Sequence, residues 1–196
     1  MLMTLKALSA ALSYPSAELQ AATTEIESAI AAEGLAPASA IAALRPLLAE
    51  LADGDIYDLQ ERYVSLFDRS RTLSLNLFEH VHGESRDRGG AMVDLLETYH
   101  AAGLEPSTGE LPDHLPALLE FLAMRPLPEA IEILADAEHI LQALHVRLTR
   151  RESAYAGLID LLLQTIAANA EAARTPNESA LAELLAEADE DPDDLE

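Results

Sequence analysis

The sequence predicts a single all-α helical bundle closed by an acidic C-terminal tail, and three observations predict it. Apolar residues recur at helical spacing almost throughout, and no segment shows the strict alternation of a half-buried strand. Turn-forming punctuation separates the blocks at Tyr14-Pro15, Gly34, Asp53-Gly54, Gly103 to Gly109, Arg125 to Pro128 and Thr175-Pro176.

Each element follows from its stripe. Leu5, Leu8 and Leu12 predict the first helix. Pro46 interrupts the stripe of Ile41, Leu44, Leu48 and Leu51 and removes a backbone donor, which predicts a kink or two short helices. Ile56, Leu59, Tyr63 and Phe67 give a middle helix, and Met92, Leu95, Leu96 and Tyr99 another. Between these two, "SLNLFEHVHG" mixes polar and apolar residues without a period, as a hydrogen-bonded connection or the rim of a groove would. Gly89 and Gly90 permit close helix contact or an irregular first turn. Leu115, Leu118, Leu119 and Leu122 predict a helix with Pro116 in its first turn and Asp113 as its N-cap.

Glu129 to Arg151 reads as one long helix, with Ile131, Leu134, Leu141, Leu144 and Leu148 apolar and Arg147, Arg150 and Arg151 set against the negative end of its dipole. A last helix spans about Ser153 to Ala173, carrying Leu158, Leu161, Leu162 and Ile166. After Arg174 there is no Lys or Arg, and "ADEDPDDLE" closes the sequence. The division is a helical domain over residues 1–176 and a solvated acidic tail over 177–196, the alternative for the tail being a lure for a basic partner.

Composition bounds the function. With 35 acids, 12 bases and a formal charge of −23, the field repels nucleic acid and anionic lipid and favours cationic partners. A domain this long buries roughly 70% of its unfolded surface, so its core needs no metal or disulfide. It has no cysteine, which removes Cys-based sites. No apolar run of about 18 residues predicts a membrane span. The N-terminus lacks a signal-peptide pattern, so the expected location is the cytoplasm.

His80 and His82, with Glu79 and Glu84, raise the question of a metal site. On a helix, residues two apart point about 200° from each other and cannot share an ion, and no sheet is predicted that would align them. Asp113-His114 suggests an acid–base pair, but no Ser or Cys nucleophile motif accompanies it. "GESRDRGG" matches no phosphate-binding fingerprint. Arg62, Arg69, Arg71, Arg86 and Arg88 fall in one stretch, interleaved with Asp68, Glu79, Glu84 and Asp87, as a surface ion-pair network would. By elimination a binding surface gains on an active site, with a helical metal-dependent enzyme or sensor using His80, His82 and His114 as the alternative.

"LFDRSRTLSLNLFEHVHGESRDRGGAMVDLLETYHAAGL" (Leu66 to Leu104) and "ELPDHLPALLEFLA" (Glu110 to Ala123), with the opening "LSYP" (Leu12 to Pro15), resemble the NarJ family of respiratory nitrate reductase assembly chaperones, within the wider TorD and DmsD group. The second block is similar to that group's signature, carried here by Glu110, Asp113, His114, Leu119, Glu120, Phe121 and Leu122. The resemblance implies a TorD/NarJ-type all-helical fold without catalytic residues, metal or cofactor. It further implies binding, in the cytoplasm, to the N-terminal segment of the apo nitrate reductase catalytic subunit, which is held competent for molybdenum cofactor insertion before membrane attachment. Molybdenum cofactor biosynthesis proteins are further implied partners, and another molybdoenzyme reductase is the alternative client. The expected partner-binding residues are Phe78, Glu79, His80, His82, Arg86, Asp87, Arg88, Met92, Asp113, His114, Glu120 and Phe121. The chain is expected to act as a monomer or weak homodimer. An amphipathic client helix in an apolar groove would use Phe78, Met92 or Phe121 as anchors, and His80, His82 and Arg86 would contact it or order the connection.

Overall fold

The structure, a computed structural model, describes residues 1–82, 87–105 and 109–170. The predicted boundary at residue 176, and the tail itself, lie outside the described residues. The helices are α1 (Met3–Ala11), α2 (Ala17–Glu33), α3 (Ala38–Asp53), α4 (Ile56–Tyr63), α5 (Leu77–His82), α6 (Asp87–Ala101), α7 (Leu115–Ala123), α8 (Leu127–Asp136), α9 (Glu138–Arg150) and α10 (155–170). Among the described residues there is no strand, only one antiparallel bridge between Asn76 and His114. The all-α expectation holds.

The stripes become one core. Leu5, Leu8, Leu44, Leu119, Leu144 and Leu158 are fully buried in it. α1 packs on α2 and α7, and its start is tied to both. Glu33, at the end of α2, accepts from the N–H groups of Met3 and Thr4 at 2.9 and 2.6 Å, supplying the acceptors that a helix N-terminus lacks. Leu2 N–H donates to the carbonyl of Ala123 at 2.6 Å, at the end of α7.

One local prediction changes and two narrow to one of their alternatives. α3 is one helix through Pro46, so the split into two short helices does not occur. The predicted long helix from Glu129 to Arg151 is broken at Ala137, which ends α8 and precedes α9 at φ −88° and ψ 0°. Leu134, Leu141 and Leu148 are seven apart and keep helical phase across the break, so periodicity could not reveal it. Gly89 and Gly90 lie inside α6, and a Cβ on either would meet nothing within 4 Å among the described residues, so close helix contact does not explain them. The close approach is elsewhere: a Cβ on Gly157 of α10 would stand 2.1 Å from the carbonyl oxygen of Ala43 in α3.

The middle helix continues past α4 as a π-helical turn over Val64–Asp68, followed by a 3-10 turn at Arg71–Leu73. This wider turn presents Phe67 edge-on to Tyr63 and Tyr155, with centroids 4.9 and 5.1 Å away. Tyr63 also donates to the carbonyl of Leu12 at 3.0 Å, which seats the π turn against the end of α1. None of the helices formed by described residues is long and apolar enough to cross a membrane.

Candidate functional site

The two sequence blocks meet where the N-termini of α5 and α7 lie side by side. Leu115 N–H donates to the carbonyl of Leu75 at 2.8 Å, and Leu77 N–H to that of Asp113 at 3.1 Å. The Asp113 side chain is fully buried, and its Oδ2 accepts from Phe78 N–H at 2.9 Å. The sequence placed Asp113 as the N-cap of α7, but the N-cap there is His114, with no side-chain cap bond. Asp113 instead satisfies a first-turn donor of α5 with its side chain, beside the Leu77 N–H that its carbonyl accepts.

Charge gathers around this joint. Arg88 on α6 lies 3.4 Å from Glu79 on α5. Burial raises the Asp113 pKa, opposed by the Phe78 N–H and the Arg88 guanidinium and reinforced by Glu79. Among the described residues, Asp113 Oδ1 meets no hydrogen-bond partner. Burial lowers the His114 pKa, against the pull of Glu110, Asp113 and Asp68, and its Nδ1 stands 3.4 Å from Glu110. Asp113 and His114 therefore face different partners. His80 Nε2 donates to the carbonyl of Ser74 at 2.8 Å, holding the non-periodic connection from within. Among the described residues no three His, Asp or Glu side chains gather as metal ligands. The side chains of His82 and Asp87, and Arg86 altogether, lie outside the described residues.

Tyr99 connects the joint to a groove. Its hydroxyl donates to the carbonyl of Pro112 at 2.7 Å, and its ring stacks on Phe121 with centroids 4.2 Å apart and planes 23° apart. Burial raises its pKa, with Asp113 adding to the rise, so it stays a neutral donor. Beyond the stack, α1, α6 and α7 border a groove of about 370 Å³ whose apolar wall includes Met1, Leu104, Ala117 and Met124. Glu105 lies on its border, as do Lys6 and Glu120, which form an ion pair.

Of the expected binding residues, Glu120 and Phe121 line this groove. Phe78, Glu79, His80, Arg88, Asp113 and His114 form or flank the α5–α7 joint instead. Phe121 is buried and lies 5.9 Å beneath the Arg125 guanidinium, whereas Met92 is half-buried on α6 and does not line the groove. The sequence reading missed Met1, Lys6, Leu104, Ala117 and Met124. The spacing of Ala117, Phe121 and Met124 at i, i+4 and i+7 was a legible signal for three lining positions.

Residues 14–160 match the family described as nitrate reductase delta subunit. Over 153 residues the chain is 52% identical to the nitrate reductase molybdenum cofactor assembly chaperone NarJ of Escherichia coli K12, covering 78% of this chain and 65% of that protein. The counterpart from Escherichia coli O157:H7 gives the same figures. The matched stretch thus spans just under two thirds of these relatives' length. A solved structure from Archaeoglobus fulgidus, of a protein assigned to redox enzyme maturation, superposes with a TM-score of 0.61 at 24% identity, over 83% of this chain and 91% of that one. That likeness shows the fold.

Proposed function

The chain belongs to the nitrate reductase delta subunit family, and on that premise we propose that it is an assembly chaperone acting by binding rather than by chemistry. Its client is the N-terminal segment of the apo catalytic subunit of nitrate reductase, held in the cytoplasm in a state open to molybdenum cofactor insertion before membrane attachment. Proteins of molybdenum cofactor biosynthesis are the further partners at that stage. The working form is a monomer or weak homodimer.

The observation that carries the reading is the apolar groove between α1, α6 and α7, with Glu105 on its border. A client helix would lay its apolar face there, with anchors spaced about one turn apart entering beside Ala117, Phe121 and Met124. The methionines adapt to varied side chains, as a holding surface requires. The charge of −23 speeds encounter with a basic segment. The α5–α7 joint supports the groove from behind, because Tyr99 belongs to both.

The test is calorimetric titration of the purified chain with a synthetic peptide from the N-terminus of a nitrate reductase catalytic subunit, at low and high salt. The expected result is saturable one-to-one binding near micromolar, about −8 kcal/mol, weaker at high salt. Neither heat nor competition at either salt would overturn the reading.

A further inference from the structure

The border of the groove holds Lys6, the only lysine of the chain; the other eleven of its 12 bases are arginines. Elsewhere the fold makes its ion pairs with arginine. Arg125 holds Glu129 through two donors at 2.8 and 3.0 Å, and Arg45, Arg62 and Arg88 also face carboxylates. A guanidinium matches a carboxylate at two points, whereas the lysine ammonium is one strongly hydrated charge on a flexible stem. Lys6 reaches from α1 to Glu120 on α7, and the two side chains stay 43% and 59% exposed. Exchanging this counter-ion therefore unpacks neither helix.

Glu120 is the one charge in an otherwise apolar row. Ala117, Glu120, Phe121 and Met124 stand at i, i+3, i+4 and i+7 along α7 and its cap, and all four line the groove. Glu105 and the terminal amine of Met1 lie on the same border, and neither forms an ion pair among the described residues. We propose that Lys6 is a displaceable counter-ion, whose place at Glu120 is taken by an arginine on the apolar face of the client helix. The inference rests on the groove being the client's seat, and it names the class of segment that fits: an amphipathic helix with an arginine about one turn from its apolar anchors.

The exchange conserves ion pairs, since one Glu120 pair is lost and another gained while the Lys6 ammonium returns to water. Arginine gains because the client covers Glu120 as it binds, and a two-point, charge-assisted contact strengthens as water leaves. A wholly apolar helix would instead bury the Lys6–Glu120 pair beneath it, and the desolvation of two charges opposes that. Selectivity thus comes from what the groove penalises as much as from what it attracts.

A single lysine makes the test direct, because carbon-13 lysine labelling of the full chain gives one ε-methylene resonance. The probe is the synthetic catalytic-subunit peptide, with each arginine in turn replaced by citrulline, which keeps the shape and removes the charge. One citrulline substitution should weaken calorimetric binding about threefold to tenfold. Saturation with the arginine peptide should move the Lys6 resonance to its position in Glu120→Gln without peptide, and the citrulline peptide should not. Glu120→Gln should abolish the preference for arginine over citrulline. Lys6→Met, which removes the competing charge, should tighten the arginine peptide about threefold more than the citrulline one. Binding that is indifferent to every citrulline, or a Lys6 resonance unmoved at saturation, overturns the exchange and leaves the client reading standing. Failure of every peptide to bind overturns both.

Discussion

The carboxylate of Asp113 accepts the backbone N–H of Phe78 at 2.9 Å, across 35 residues of sequence, and so an acid next to α7 fixes the start of α5. The relationship is made inside the protein, where Asp113 has no exposed surface.

Replacing Asp113 with Ala should cost about 1–3 kcal/mol in urea denaturation, because the Phe78 N–H is left without its acceptor. Asp113→Asn keeps an acceptor and should cost less. The pH dependence follows from the raised pKa. The folded state holds this proton more tightly than the unfolded chain, so the group favours folding most at low pH. That contribution declines as pH rises from the ordinary value of 3.8 through the raised folded value. Asp113→Asn should flatten this part of the stability profile; an unchanged slope would remove Asp113 as its source.

Tyr99 separates two contributions. Tyr99→Phe keeps the ring on Phe121 but loses the bond to Pro112, and should cost about 0.5–1.5 kcal/mol. Tyr99→Ala also opens a cavity beneath the groove and should cost about 3–5 kcal/mol, as large-to-small aromatic changes in cores do. Equal losses in thermal or urea unfolding would show that the stack contributes nothing.

Glycines in two helices should respond with opposite signs. Gly157→Ala would force a Cβ to 2.1 Å from a backbone oxygen, so α10 must move off α3. The expected loss is about 1–3 kcal/mol or more, against a propensity gain of about 1 kcal/mol. Gly90→Ala meets nothing within 4 Å among the described residues and should stabilise by roughly 0.5–1 kcal/mol. Matched denaturant titrations of the two variants decide the signs.

Met124 is 55% exposed at the groove's edge. Met124→Ala should shift stability by no more than about 0.5 kcal/mol, as surface substitutions usually do. The same change should weaken the client peptide about tenfold in calorimetry, equivalent to about 1.4 kcal/mol. Unchanged peptide affinity would place the client elsewhere on the surface.

The helices were legible because their signals are local. Leu115, Leu118, Leu119 and Leu122 stripe one face of α7, and Pro116 sits at its first turn as expected. The break at Ala137 was not legible, since a backbone turn made without Gly or Pro leaves no mark in composition or phase. At the candidate site, the sequence pointed to Glu120, Phe121 and the Asp113 neighbourhood through the resemblance carried by the Glu110 to Ala123 block. It did not point to Met1, Lys6 or Leu104, which line the groove from α1 and the end of α6. No spacing within one helix encodes a neighbour contributed by another.

By itself, then, the sequence determined an all-α chain and most of its helices, though neither α5 nor the break at Ala137, because burying an apolar stripe is a property of a few turns. The tertiary structure decided which donor Asp113 satisfies, which faces of α1, α6 and α7 leave a groove, and that Arg147 and Arg151 reach Thr72 and Ser70. These depend on how helices far apart in sequence pack together, and a hydrogen bond or charge contact across that distance has no period to read.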